Sequence, residues 1–275
     1  MRKETVAFQG ERGAFSEEAA YKLLGRDIQV LPCETFEAAF QSVVKRKASL
    51  CLVPIENTLA GSIYENYDLL LRNDLHIVCE VNLRIVHHLI AFPGTTLQNL
   101  RRVYSHPVAL AQCSRFFSRH PRFEKIPFYD TAGSVKMLAE ERPANTAAIA
   151  SRIAAAVYGA RILQRHLEDH HENFTRFLLL SKKSYVSPRA NKVSIVFSTP
   201  NAPGALYKCL SVFALRDIDL TKMESRPLRG RPWEYFFYLD FVGNVKKQPC
   251  RKALEHLEEV TTFLRVLGCY ESGKR

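Results

Sequence analysis

Tryptophan and methionine are scarce here, with one and three residues in a chain of 275, and the seven cysteines form no C-x-x-C pair. Cysteines at 33, 51, 79, 113, 209, 250 and 269 are odd in number and scattered, which argues against both a disulfide framework and a zinc site. The histidines offer no substitute. His87-His88 and His170-His171 are adjacent pairs, and neighbours on a strand point to opposite faces, so no metal site is expected. No G-x-G-x-x-G is present, which removes the dinucleotide fingerprint. No apolar run approaches the roughly 20 residues of a membrane-spanning helix, so no membrane partner is expected. The formal charge of +11 comes without a basic block or an aromatic-rich basic motif. That pattern disfavours nucleic acid and suits small carboxylate ligands. Met1–Thr5 runs straight into a strand-like Val6-Ala7-Phe8, which leaves no room for a signal or transit peptide and makes a cytoplasmic location the expectation.

What is present is ordinary for a large core: 47% apolar and 24% charged residues, in a chain long enough for two domains. Thr5–Gln9 reads as a buried strand, followed by Gly10-Glu11-Arg12-Gly13-Ala14-Phe15-Ser16 and a helix with Ser16 as N-cap and Glu17 and Glu18 in its first turn. A strand Ile28–Pro32, a helix capped by Thr35 with apolar Phe36, Ala39, Phe40, Val43 and Val44, and a strand Leu50–Pro54 come next. This alternation predicts a parallel, doubly wound sheet covered on both faces. His76–Val81 and Leu83–Phe92 read as long strands linking two α/β lobes. The second lobe has a short strand ending at Val103–Pro107, a helix through Ala109, Cys113, Phe116 and Phe117, a strand Phe123–Phe128, a helix Val135–Glu141 opened by Asp130–Ser134, and a strand Thr146–Ala150 before a helix starting at Ser151.

Polar clusters end these strands at Glu56–Ser62, Ser105-His106, Asp130–Ser134 and Thr175-Arg176, and ligands of open α/β sheets sit outside the carboxyl ends of strands. A cleft between two lobes gathers such clusters around one ligand. Asn57 and Thr58 are alternatively simple caps for the next helix, and His106 a capping histidine. The polar, Pro-containing stretch 183–191 reads as a linker. Beyond it come a strand Lys192–Phe197, a helix from Gly204 to Leu215, strands Asp219–Glu224 and Trp233–Phe241, a helix Cys250–Val260 and a strand Phe263–Leu267. The order βαββαβ is the ferredoxin-like arrangement.

Three blocks resemble prephenate dehydratase: Asn173–Phe177 (NFTRF, against the family's N-x-T-R-F), Val53–Gly61 (VPIENTLAG) and Gly10–Ser16 (GERGAFS). The tail resembles an ACT regulatory domain, with GALY at 204–207 and ESRP at 224–227. Departures are Glu11-Arg12 in the first loop and Ala14 where a Thr is common. The resemblance implies an α/β fold with a two-lobed, periplasmic-binding-protein-like catalytic domain over 1–182 (lobes about 1–80 plus 160–182, and 81–159) and an ACT domain over 192–275. It implies conversion of prephenate to phenylpyruvate, water and carbon dioxide without a cofactor, under feedback inhibition by L-phenylalanine. Thr175 then assists loss of the ring hydroxyl, Arg176 holds a carboxylate and Phe177 packs beside the ring. Asn57, Thr58, Ser62, Ser105, His106 and Thr131 supply further donors. The effector is expected between two ACT domains near Asn201, Gly204, Ala205, Leu206, Tyr207, Glu224, Ser225 and Arg226, which makes a homodimer the minimum and a homotetramer an option. Arogenate dehydratase is the alternative reading, and a non-catalytic amino-acid-sensing or solute-binding protein a more remote one.

Overall fold

Val6, Ala7 and Phe8 have no solvent exposure, and this apolar triplet forms the middle of strand β1 (Thr5–Gln9). The computed structural model describes residues 3–228 and 230–273. After β1 come α1 (Phe15–Leu24), β2 (Gln29–Cys33), α2 (Phe36–Val44), β3 (Leu50–Asn57), the short β4 (Gly61–Ser62), α3 (Tyr64–Arg72) and β5 (His76–Arg84). A second α/β segment holds β6 (His88–Ala91), β7 (Arg102–Ser105), α4 (Pro107–Ala111), α5 (Ser114–Arg119), β8 (Glu124–Pro127), α6 (Thr131–Glu141), β9 (Thr146–Ala150), α7 (Arg152–Val157) and β10 (Arg161–Gln164). Strand β11 (Phe174–Ser181) returns to the first sheet, whose order is β2-β1-β3-β11-β5 with β4 paired to β3, while the second sheet has the order β10-β6-β9-β7-β8. The chain divides into two compact units. One runs to Ile63 and resumes over Val81–Phe177, and the other joins Tyr64–Glu80 to the chain from Leu178 onward.

The architecture is the expected α/β one, with local differences that have physical causes. Pairs β1/β2, β1/β3, β7/β8 and β7/β9 are parallel, but β6 pairs antiparallel with both β9 and β10, so the second sheet is mixed. The expected N-cap Ser16 lies inside α1, whose N-cap is Ala14 with no side-chain cap. Buried Glu17 instead ties the preceding turn to the helix: its carboxylate accepts the Gly13 N–H at 2.7 Å and the Tyr21 hydroxyl at 2.8 Å. The helix expected across Ala109–Phe117 breaks into α4 and α5. Asp169, far along the chain, accepts the Ser114 and Arg115 N–H groups at 2.9 Å each and so starts a new helix at Ser114. Helix α6 begins four residues earlier than expected, with Asp130 as N-cap accepting the Gly133 N–H at 2.6 Å. Helix α2 follows its sequence: Thr35 accepts the Ala38 N–H, and Ala39, Phe40 and Val43 are buried.

In the second unit, β12 (Lys192–Ser198), α8 (Ala205–Ala214), β13 (Leu220–Pro227), β14 (Tyr235–Val242), α9 (Gln248–Val260) and β15 (Phe263–Tyr270) follow the order βαββαβ. The sheet is antiparallel in the order β13-β14-β12-β15, and its strands outrun the expected ends because each gains a partner along its length. Val193, Ile195, Phe197, Phe213, Leu239, Phe241 and Leu257 form its core. Each fully buried large apolar side chain contributes about 1.5–3 kcal/mol. Helix α3 packs on the other face of this sheet. Arg226 bonds Asp68 at 3.0 Å and lies over the Tyr64 ring, and the Tyr238 hydroxyl donates to the Tyr67 carbonyl at 2.8 Å.

Candidate active site

In the first unit, side-chain amides join the end of β3 to the start of β11, two of the four polar clusters. Strand β3 ends in Asn57, whose Oδ1 accepts the backbone N–H groups of Leu59 and Ala60 at 3.0 and 2.8 Å. This closes an Asx turn over its own loop, and with its oxygen so occupied Asn57 presents Nδ2 to the start of β11. There Nδ2 donates to Asn173 Oδ1 at 2.8 Å and Thr175 Oγ1 at 2.9 Å, with the Phe174 carbonyl at 3.1 Å. Thr58 sits beside it, donating its hydroxyl to the Glu172 carbonyl and accepting the Phe174 N–H. Neither residue caps α3, which begins at Tyr64.

Thr175 is 7% exposed, Arg176 8% and Phe177 2%. The hydroxyl oxygen of Thr175 accepts the Asn57 hydrogen bond, so its own proton remains for another acceptor, and the accepted bond polarises the O–H. Arg176 Nη1 lies 3.4 Å from Glu56 Oε1, which brings a carboxylate from β3 to the guanidinium. Phe177 is packed in the interior. Ser62, on β4, has Glu56 as its strand partner.

The second lobe contributes a residue that the sequence reading passed over. Gln112, the C-cap of α4, accepts at Oε1 from Asn173 Nδ2 at 2.9 Å. An isolated amide directly after the small, apolar run Val108-Ala109-Leu110-Ala111 was its one sequence signal. His87 Nε2 lies 2.9 Å from the same Gln112 oxygen, and burial holds the His87 imidazole below its usual range. His106 caps α4, accepting the Val108 N–H at Nδ1. Ser105 is fully buried and gives its hydroxyl to the Ile149 carbonyl at 2.6 Å. Thr131 opens α6 and is half-buried.

The β1–α1 loop also meets the second lobe. Glu11 accepts from the Tyr129 hydroxyl and from Lys136 Nζ, both at 3.1 Å, and Ser151 donates to the Gly13 carbonyl at 2.6 Å. Burial raises the Asp130 carboxyl against the pull of the Gly133 and Ala132 N–H groups. Burial, then Glu11, pushes the Tyr158 hydroxyl up to about 12. A cavity of about 370 Å³ at this tip of β1 is lined by Gln9, Gly10, Glu11, Pro32, Cys33, Glu34 and Tyr129, and Thr175 is not among its walls.

The expected effector residues lie in the second unit. Asn201, Gly204 and Tyr207 are exposed around the start of α8. Ala205 and Leu206 are half-buried there. Along the edge strand β13, Glu224 and Arg226 are half-buried while Ser225 is exposed, and Arg226 is held by Asp68.

Comparison with known proteins bears on the family. A family model described as prephenate dehydratase matches residues 6–185. The arogenate dehydratase/prephenate dehydratase 2 of Arabidopsis thaliana is 46% identical over 276 residues, covering 96% of this chain and 72% of that protein. A solved structure of prephenate dehydratase from Arthrobacter aurescens, in complex with L-Phe, superimposes with a TM-score of 0.91 at 32% identity, covering 97% of this chain and 90% of that one. Another solved chain, described as a novel type of quorum quenching acylase, also gives a TM-score of 0.91, at 33% identity and 98% coverage of both chains. With well over half of its length matched by the family model and a relative this similar along nearly all of it, the chain belongs to the prephenate dehydratase family, whose members are lyases.

Proposed function

We propose that this enzyme aromatises prephenate, releasing carbon dioxide and water and leaving phenylpyruvate, with arogenate as the alternative substrate that the names of its relatives put forward. The C–O bond to the ring hydroxyl and the C–C bond to the ring carboxylate both break. The electron pair released by decarboxylation completes the aromatic ring, and the departing hydroxide takes a proton to become water. Aromatisation makes the elimination strongly downhill, so the barrier lies in expelling a poor leaving group.

The observation that carries this reading is the Thr175 hydroxyl with its oxygen taken by Asn57 Nδ2 and its proton left to donate. A donor at the departing oxygen typically contributes ~10²–10⁴ in rate, or roughly 3–5 kcal/mol. Arg176 orients a carboxylate of the substrate, and its charge is moderated by Glu56. That moderation matters, because full neutralisation of the departing carboxylate opposes decarboxylation. A second reading, acyl-amide hydrolysis, takes its support from the solved acylase-described chain. A threonine nucleophile needs an adjacent base, whereas the Asn57 Nδ2 that contacts Thr175 is a donor, which favours dehydration.

Purified protein is expected to form phenylpyruvate from prephenate. Thr175→Ala is expected to lower kcat by ~10²–10⁴ with the fold intact, and Thr175→Ser to retain much of it. An unchanged kcat in Thr175→Ala removes the assigned role. Acid released from an acylated amide, with no phenylpyruvate formed, moves the assignment to the second reading.

L-phenylalanine regulation belongs to the same proposal. The second unit resembles an ACT domain in its element order and its GALY and ESRP segments, and the related Arthrobacter aurescens structure is a complex with L-Phe. In a dimer, Asn201 and Gly204–Tyr207 of one copy meet Glu224–Arg226 of the other. The edge position of β13 supports such pairing, since an open strand edge invites a partner.

A further inference from the structure

The orientation of every amide around Thr175 traces back to two backbone groups. The N–H groups of Leu59 and Ala60 leave no choice about which Asn57 atom is the oxygen. Nδ2 of Asn57 must therefore donate, which makes the facing atom of Asn173 its Oδ1. Asn173 then donates from Nδ2 to Gln112 Oε1, and the atom facing that oxygen from the other side, His87 Nε2, must carry a hydrogen. Nδ1 of His87 is buried and has no hydrogen-bond partner among the described residues. An imidazolium would bury an unpaired N–H there, so the neutral ring with its proton on Nε2 is the state that fits. The ring is fixed in place by its own backbone N–H, which donates to Glu168 Oε2 at 3.0 Å, and by Phe15, whose ring stands edge-on at 5.5 Å.

We infer that His87 is a positioning residue for the dehydration: the Asx turn of Asn57 sets the direction of the chain Asn57–Asn173–Gln112, and the His87 Nε2–H anchors its far end, which holds Asn173 and Asn57 in the place that gives the Thr175 oxygen a donor and leaves the Thr175 proton for the substrate. Without that hydrogen the Gln112 amide is free to rotate. Asn173 Nδ2 then loses its acceptor, and with it the second anchor that holds Asn173 Oδ1 against Asn57 Nδ2 beside Thr175. The Gln112 NH₂ group, which has no partner among the described residues, is directed by the same bond.

The inference rests on the dehydratase reading for its kinetic arm, and a spectroscopic arm is independent of it. In protein labelled with ¹⁵N-histidine, His87 is expected to show a protonated Nε2 and a bare Nδ1 at neutral pH. The opposite tautomer, or a titrating imidazolium, overturns the inference whatever the enzyme's substrate. For the kinetic arm, His87→Gln places an amide donor where Nε2 stood, and His87→Asn is a similar amide that falls short of Gln112. The glutamine variant is expected to keep kcat close to wild type. The asparagine variant is expected to lose about 10²-fold in kcat, the scale of a small misplacement of reacting groups, with KM little changed. Equal kcat values in the two folded variants overturn the positioning role, and a folded glutamine variant without activity does the same. Wild-type protein that turns over neither prephenate nor arogenate defeats the dehydratase reading instead, and the tautomer measurement still decides the state of His87.

Discussion

Asn57 uses its small side chain fully. One oxygen serves two backbone donors, and one NH₂ group serves Asn173, Thr175 and the Phe174 carbonyl. Asn57→Asp keeps the oxygen and its Asx turn but puts a second oxygen against the Asn173 and Phe174 carbonyl oxygens and turns the Thr175 proton toward the new carboxylate. Lost hydrogen bonds that leave such acceptors unsatisfied cost about 1–3 kcal/mol, and like-charge repulsion among the oxygens adds to that. The variant is expected to unfold at a clearly lower denaturant concentration and to lose kcat along with Thr175→Ala. A denaturation midpoint equal to wild type contradicts the bonding described here.

Short loops and helix starts decide how the elements meet. Gly13 has φ +88°, and a Cβ there would lie 2.6 Å from Ala154 Cα, so this turn of the β1–α1 loop accepts no side chain against α7. Gly204, the N-cap of α8, has φ +76° with open space around it. There the conformation alone demands glycine. Forcing a β-branched residue into it costs on the order of 1–3 kcal/mol and re-aims the first turn of α8. Gly204→Val is expected to abolish the rise in melting temperature that L-phenylalanine gives the wild-type protein, together with inhibition by that amino acid. An undiminished thermal shift at the same ligand concentration puts the effector elsewhere.

For the molecule as a whole, the buried histidines make stability depend on pH. Burial first, then the charge of His166, lowers the His88 imidazole to about 4, and burial lowers His87 as well. An unfolded chain binds protons at these rings from about pH 6.5 downward, where the folded protein does not. Stability from His88 is therefore complete above pH 6.5 and is lost as pH falls toward 4, at up to ~1.4 kcal/mol per pH unit. Asp130 and Glu18, whose carboxyls are raised by burial, act with the opposite sign in the acid range. Urea unfolding from pH 8 to pH 5 is expected to show this decline, and His88→Phe to flatten it. An identical slope in the variant assigns the decline to other groups.

Much of the organisation was legible from local pattern. Apolar triplets such as Val6-Ala7-Phe8, the Thr35 cap and the βαββαβ order follow from periodicity and capping chemistry, which act over a few residues. The polar stretches that close β3 and open β11 were legible too, because polar residues beside apolar strand runs stand out. Gln112 and His87 were not, since an amide in a short helix and a histidine in a strand-like run carry no local sign of their partners. The split of α4 from α5 and the bond from Gly13 to buried Glu17 were hidden for the same reason. The sequence by itself determined which segments are strands and helices and where polar groups interrupt them. Only the tertiary structure decided that Asn57 and Asn173, 116 residues apart, share a hydrogen bond. Side-chain amides are indifferent to direction until a donor makes one of their two atoms the oxygen, and the direction that Leu59 and Ala60 give Asn57 reaches Asn173 only because the fold brings the two amides together.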